Sequence, residues 1–150
     1  MTLTEKYMDL FTVGPGYVLA HCISADFVMG AGIAKQFTDK GVKDTLLNKY
    51  TPNQWDGKGY IRVCSMTNNN TPYTVANLIT KQYVHDKPTY EMIEQSLVEL
   101  KNYLVSRTIM RLAIPRIGCG LDGLDWNKVE SIIKKVFKNT MIDILVCDWP

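Results

Sequence analysis

Met29-Gly30-Ala31-Gly32-Ile33-Ala34 sets two glycines in a run of small residues, entered from an apolar segment and left by a helical pattern. Glycine lets backbone approach a ligand closely, and the amides that open a helix lack intrachain partners. Together they make a seat for phosphate. Such a junction alone more often serves a tight turn than a ligand. A second loop, Gly118-Cys119-Gly120-Leu121-Asp122-Gly123, also follows an apolar run and precedes a helix, so the two can clasp one ligand between them.

Outward from the first loop, Tyr17 to Ile23 is apolar and rich in strand formers. It reads as a buried strand with His21 and Cys22 at its end, facing the loop. Before it, residues 3 to 11 begin with a mixed segment and end in Met8-Asp9-Leu10-Phe11, an edge strand running into a turn, and Gly14-Pro15-Gly16 supplies a break. After it, Gly30 to Thr38 is helical with Ile33, Ala34 and Phe37 on one face, and Val42 to Tyr50 forms a second helix. Tyr60 to Met66 and Tyr73 to Ile79 read as a hairpin whose loop, Asn68-Asn69-Asn70-Thr71-Pro72, is longer than the minimal turn. Trp55, Tyr60 and Tyr73 read as packing residues. A polar stretch from Thr80 to Lys87 then leads to Pro88 and Thr89, which open a helix with Ile93, Leu97, Leu100 and Leu104 on one face, ending near Arg107.

Met110 to Ile114 is a short buried strand stopped by Pro115, and the second glycine loop follows. Asp125 is a good N-cap for a helix with Val129, Ile132, Ile133, Val136 and Phe137 on its apolar face. Ile142 to Cys147 supplies a final strand. Strands alternating with helices imply an α/β sandwich.

Composition narrows the class. With 150 residues, 46% hydrophobic and 21% charged, the chain can bury about two thirds of its unfolded surface, which fits one domain over residues 1 to 150. Basic and acidic residues, 17 against 15, are mixed along the chain, so no nucleic-acid footprint stands out. Cys22, Cys64, Cys119 and Cys147 form no CxxC pair and no secretory leader is visible, so reduced, mostly buried thiols are expected rather than a disulfide framework or a zinc site. No apolar run approaches the roughly 20 residues of a membrane span. A soluble, intracellular protein is expected.

In sheets covered by helices on both faces, ligands settle beyond the carboxyl ends of the strands. Both glycine loops and the Lys81 segment occupy that position. Neither loop matches GxxxxGK[ST] or GxGxxG with its downstream acid, which disfavours a nucleoside triphosphatase or a Rossmann dehydrogenase. What remains is a diphosphate seat without a magnesium motif. On residue type alone, Lys81 is a solvated charge and Asp122 a turn residue.

Asp9-Leu10-Phe11, Ala20-His21-Cys22-Ile23-Ser24, Met29-Gly30-Ala31-Gly32-Ile33-Ala34 and Pro115-Arg116-Ile117-Gly118-Cys119-Gly120-Leu121-Asp122, with Lys81 and His85-Asp86-Lys87-Pro88-Thr89-Tyr90, resemble the macro domain family. Within it the chain is most similar to the terminal ADP-ribose protein glycohydrolase branch. The resemblance implies a three-layer α/β/α fold with a mixed sheet and a cleft for ADP-ribose. It places catalysis on Lys81 and Asp122. It places ADP-ribose contacts on Asp9 and Leu10, on His21 and Ser24, on residues 29 to 34, on Thr80, and on Arg116, Ile117, Gly118, Cys119, Gly120 and Leu121. Asp9 matches the carboxylate that receives the adenine amino group, although Met8 stands where the family usually has glycine. Arg116 is either a ligand contact or a charge capping the loop. Apart from the resemblance, His21 is more often a satisfied histidine at a strand end than a catalytic base. Trp149 either stacks on the base or ends the chain in solvent.

A lysine amine, when neutral, can attack C1 of an opened ribose to form a Schiff-base-type adduct, and a nearby aspartate can move protons. The implied activity is removal of ADP-ribose from acyl-linked substrates, protein Glu/Asp or O-acyl, by a monomer needing neither metal nor cofactor. Alternatives are an ADP-ribose 1''-phosphate phosphatase, a hydrolase acting on DNA-linked ADP-ribose, and a non-catalytic ADP-ribose reader. The DNA alternative rests on Gly123-Leu124-Asp125-Trp126, shared with a related branch. Nucleic acid enters only as an ADP-ribosylated substrate, and no membrane partner is implied.

Overall fold

In a computed structural model covering residues 1–150, the apolar runs become strands β1 (Thr2–Tyr7), β2 (Val18–Ser24), β3 (Tyr60–Asn68), β4 (Thr71–Lys81), β5 (Arg111–Ile114) and β6 (Asp143–Asp148). The amphipathic segments become helices α1 (Gly32–Asp39), α2 (Val42–Lys49), α3 (Tyr90–Ser106) and α4 (Trp126–Phe137). One sheet runs in the order β1-β6-β5-β2-β4-β3. Its neighbours pair in parallel except β3 with β4, so the sheet is mixed.

Helices cover both faces, which is why β2 is apolar along nearly its whole length instead of alternating. On one face Phe37, Val42 and Leu46 pack against Leu19, Val75 and Ile79. On the other, Leu97, Leu100, Ile133 and Phe137 pack against Ala20, Leu78 and Ile114. The architecture is the three-layer α/β/α sandwich expected. Caps fix where the second pair of helices begins. Thr89 accepts a hydrogen bond from the Met92 amide, and Asp125 accepts one from the Asn127 amide.

Two local expectations are corrected. The edge strand lies at Thr2–Tyr7, earlier than Met8-Asp9-Leu10-Phe11, because Asp9 turns the chain into a one-turn 3₁₀ helix over Leu10–Thr12 by accepting from the Phe11 amide. The hairpin between β3 and β4 is minimal. Asn69 and Asn70 both take left-handed φ, 50° and 65°, which closes a two-residue turn of the kind whose twist suits a hairpin. Thr71 and Pro72 continue the ladder opposite Asn68 and Thr67, at a stretch of β4 not paired with β2. A proline is tolerated there because it faces no second neighbour.

Gly59 fixes how β3 meets α3. A Cβ at Gly59 would stand 2.0 Å from the Met92 carbonyl oxygen, and the Gly59 amide donates to Gln95 Oε1 at 2.8 Å. Only glycine allows this approach.

Candidate active site

Five parallel strands deliver their following loops to one end of the sheet, and there a cleft of about 950 Å³ opens. Its floor is ordered by the topology. Asp9 follows β1, Asp148 and Trp149 lie at the end of β6, the second glycine loop follows β5, Ser24 and the first glycine loop follow β2, and Lys81 ends β4. The cleft therefore runs from the β1/β6 side to the β4 side.

At the β4 side, Lys81 Nζ lies 2.8 Å from Asp122 Oδ1, with side-chain exposures of 12% and 15%. A bulge aims the lysine. Ile23 pairs with Ile79 but Ser24 pairs with Lys81, so Thr80 is the extra residue, and the shift turns Lys81 into the cleft. Asp122 sits on a loop closed by Leu124 N donating to Gly118 O at 2.9 Å and by Asp125 N donating to the Tyr90 hydroxyl at 3.0 Å. Lys87 Nζ donates to the Leu121 carbonyl at 2.8 Å.

The first glycine loop is held by Asp26. Its Oδ1 accepts from Ser24 Oγ and from the Val28 amide, and its Oδ2 accepts from the Val84 amide at 2.9 Å, tying this loop to the one after β4. Phe27 and Met29 adopt left-handed φ of 57° and 49° and bury their side chains in the core. Backbone forced this way by buried anchors is a fixed scaffold. The Ala31 N-cap of α1 has no side-chain cap, unlike Thr89 and Asp125, and Gly32 opens the helix at φ +59°. Residues 29 to 34 line the cleft, so the uncapped turn offers it amide donors.

At the β1/β6 side, Arg116 donates from Nε and Nη2 to both Glu5 oxygens at 2.8 and 2.9 Å, and lies 3.9 Å from Asp148. The guanidinium holds Glu5 below the usual carboxylate range. Arg116 thus clamps β1 to the loop after β5 while lining the cleft, which favours the capping role over a direct ligand contact. Trp149 lines the cleft with its ring 5.1 Å from that of Tyr7.

The thiols are free, and three of them, Cys22, Cys119 and Cys147, line the cleft. Burial pushes the Cys22 thiol up to about 12, with the Asp122 carboxylate adding to the rise. Burial likewise pushes Cys119 up to about 11. Both remain protonated at neutral pH and are poor nucleophiles. The amine of Lys81 is the better placed group.

The lining includes Asp9, Leu10, Ser24, residues 29 to 34, Lys81, Arg116, Ile117, Gly118, Cys119, Gly120, Leu121 and Asp122. His21 and Thr80 do not line it. His21 lies within β2, not at its end, and is 0% exposed. It stacks on Phe37 at 3.9 Å and donates from Nε2 to Asn77 Oδ1 at 2.6 Å. Thr80, also 0% exposed, is the bulged residue whose side chain turns into the protein. Sequence reasoning missed Asp26, Val84 and Lys87 as site-building residues. The polar run from Thr80 to Lys87 carried the signal for the last two, but nothing local distinguishes a latch from a solvated charge.

Comparison with known proteins places this geometry. The sequence model of the Macro domain family matches residues 20–133. Human "ADP-ribose glycohydrolase OARD1" is 41% identical over 140 residues, covering 92% of this chain and 86% of that protein. Among solved structures, the macrodomain of Mycobacterium tuberculosis DarG superposes with a TM-score of 0.77 at 23% identity, covering 99% and 97% of the two chains. Thermosipho africanus DarTG, solved in complex with ADP-ribose, superposes at 0.72 with 23% identity, covering 99% of this chain and 42% of that one. At those identities the structures speak for the fold.

Proposed function

The chain belongs to the macro domain family, and on that premise we propose that it is a hydrolase that removes ADP-ribose from acyl-linked substrates, with Lys81 and Asp122 as its catalytic pair. The observation that carries the assignment is the 2.8 Å contact between Lys81 and Asp122 at one end of a cleft lined by two glycine loops. Simple binding of a diphosphate has no use for a paired amine and carboxylate there. The topology supports one orientation of the ligand in this reading. Adenine lies at the β1/β6 side by Asp9 and Trp149, the diphosphate lies between the glycine loops against the opening turn of α1, and the distal ribose reaches Lys81.

In the reaction, Asp122 takes a proton from Lys81 Nζ along the contact they already make. The neutral amine forms an N–C1 bond as the C1–O bond breaks and the carboxylate of the substrate departs. Asp122 then holds the proton. Ring opening gives the imine, with the ring oxygen gaining a proton. Water adds to C1, the C–N bond breaks and ADP-ribose leaves as the Lys81 ammonium re-forms, while Asp122 gives up its proton to solvent, so both groups are restored. Each step uses this chain's own groups, substrate and water. Residues 1 to 150 act as one domain and as a monomer in this scheme, and the four free thiols favour a reducing, cytoplasmic setting.

Lys81→Ala is expected to keep ADP-ribose affinity and abolish turnover, since ground-state binding rests on backbone amides and Asp9 while the amine matters once C1 reacts. Product analysis with acyl-linked, DNA-linked and 1''-phosphorylated ADP-ribose, beside calorimetry, measures both. Borohydride added during wild-type turnover should fix mass on Lys81. Full activity of Lys81→Ala on every linkage would overturn the lysine mechanism.

A further inference from the structure

We propose that Lys87 is a positioning residue that sets Asp122 against Lys81 by holding the Leu121 carbonyl. The inference rests on the lysine mechanism just described. Its Nζ donates to that carbonyl at 2.8 Å across 34 residues of sequence, and the Leu121 carbonyl belongs to the peptide unit that continues into Asp122. One residue later the Asp122 carboxylate meets Lys81, also at 2.8 Å. Two lysines, one ending β4 and one on the loop after it, therefore grip successive residues of the second glycine loop. Lys81 takes the side chain and Lys87 takes the backbone behind it.

The two partners differ in rigidity, and that difference gives the Lys87 contact its purpose. The loop carrying Lys87 is fixed. Asp26 accepts from the Val84 amide, Asp86 accepts from the Tyr83 amide at 3.0 Å, and Thr89 caps the helix that follows. The glycine loop is pliable by composition, with Gly118 and Gly123 at φ +73° and +71°, and its apex residue Leu121 is 71% exposed. No packed side chain anchors Leu121, so a directed hydrogen bond from a fixed neighbour adds to the backbone turn, closed by Gly123 N donating to Gly120 O at 3.1 Å, in setting where the peptide before Asp122 points. The exposed carbonyl can turn to water if the lysine is lost, so the fold survives while the geometry loosens. A misplacement near 1 Å is enough to cost about a hundredfold in rate.

Lys87→Met keeps the apolar stem and removes the donor. With the acyl-linked substrate, kcat is expected to fall by about tenfold to about a hundredfold, and the borohydride-trapped adduct on Lys81 should form slower in proportion. Free ADP-ribose affinity by calorimetry should stay within about twofold, because the ground state does not use Asp122. Lys87→Arg, which restores a cationic donor, should recover most of the rate. Should the methionine variant fail to fold, Lys87→Leu, which also keeps an apolar stem and lacks the donor, is read in the same way. Wild-type kcat and adduct formation in Lys87→Met would overturn the inference. So would weakened ADP-ribose affinity with kcat unchanged, which would make Lys87 a ligand contact, or an arginine variant as slow as the methionine one. Failure of the lysine mechanism itself shows separately, as a wild-type protein that forms no adduct on Lys81.

Discussion

His21 shows how far a single residue's chemistry depends on which way its strand faces. By type and position it read as a satisfied histidine at a strand end ahead of a catalytic base, and only the family resemblance put it among the ligand contacts. In the fold it is enclosed, stacked on Phe37 and bonded to Asn77, with Nδ1 lacking any partner. Burial without a charged partner lowers its pKa from 6.5 to about 4. The folded state therefore binds the proton less well than the unfolded chain, and stability that is complete above pH 6.5 drains away as pH falls toward 4. At pH 4.5 this amounts to on the order of 2 to 3 kcal/mol. Urea unfolding at pH 7 and pH 4.5 tests it by comparison with His21→Gln, whose amide can still donate to Asn77 but does not titrate. The variant should lose less on acidification than the wild type. Equal losses would mean that His21 is not the acid-sensitive group. The approach of Lys81 to Asp122 was legible through the family resemblance that paired them. The inward turn of His21 and Thr80 was not, because it depends on strand parity and on a one-residue bulge that no local signal announces.

At the level of elements, amphipathic spacing located all four helices, and β2, β5 and β6 emerged to within a residue or two from apolar runs alone. The misplaced edge strand and the overlong hairpin loop share one cause. Both were decided by short-range hydrogen bonding and left-handed asparagines, which composition does not reveal. Glycines illustrate the same limit from the other side. Gly59 carried no functional signal, yet its missing side chain lets β3 and α3 touch. Gly59→Ala is expected to destabilise by about 3 kcal/mol, since the obstruction is the backbone oxygen of Met92 and backbone cannot rotate away. Calorimetric ADP-ribose affinity of the folded fraction should be unchanged. Gly32→Val makes the contrasting case. It places a branched residue at φ +59° on the opening turn of α1, so it should lose about 1 to 2 kcal/mol of stability and, in addition, lose ADP-ribose binding in the protein that remains folded. If Gly32→Val kept its affinity, the first glycine loop would be only a turn.

For the whole molecule, the chain's order in sequence and its order in the sheet differ, and that difference builds the cleft. β2 is flanked by β5 and β4, and β6 lies between β5 and β1, so loops far apart in sequence converge at one end. Periodicity supplied the elements and the layering, but pairing partners are long-range facts. The strand-end rule brought the glycine loops and Lys81 to one place, but only resemblance to the family anticipated that Asp9 would share their cleft. The consequence is a thermodynamic one. Both glycine loops, the turn after β1, and strands β2, β4 and β6 all contribute lining, so a ligand filling the cleft should bind only when the sheet that carries them is assembled. ADP-ribose should therefore stabilise the domain as a unit. At a hundred times its dissociation constant the gain is about 2.7 kcal/mol, which for a domain of this size raises Tm by about 5 to 10 °C. Thermal unfolding followed by circular dichroism should remain one transition, displaced upward, with calorimetry giving one ligand per chain. A ligand that shifted only part of the transition would show that the two ends of the sheet unfold separately. No shift at millimolar ADP-ribose would remove the ligand from the cleft, and with it the hydrolase mechanism built on Lys81.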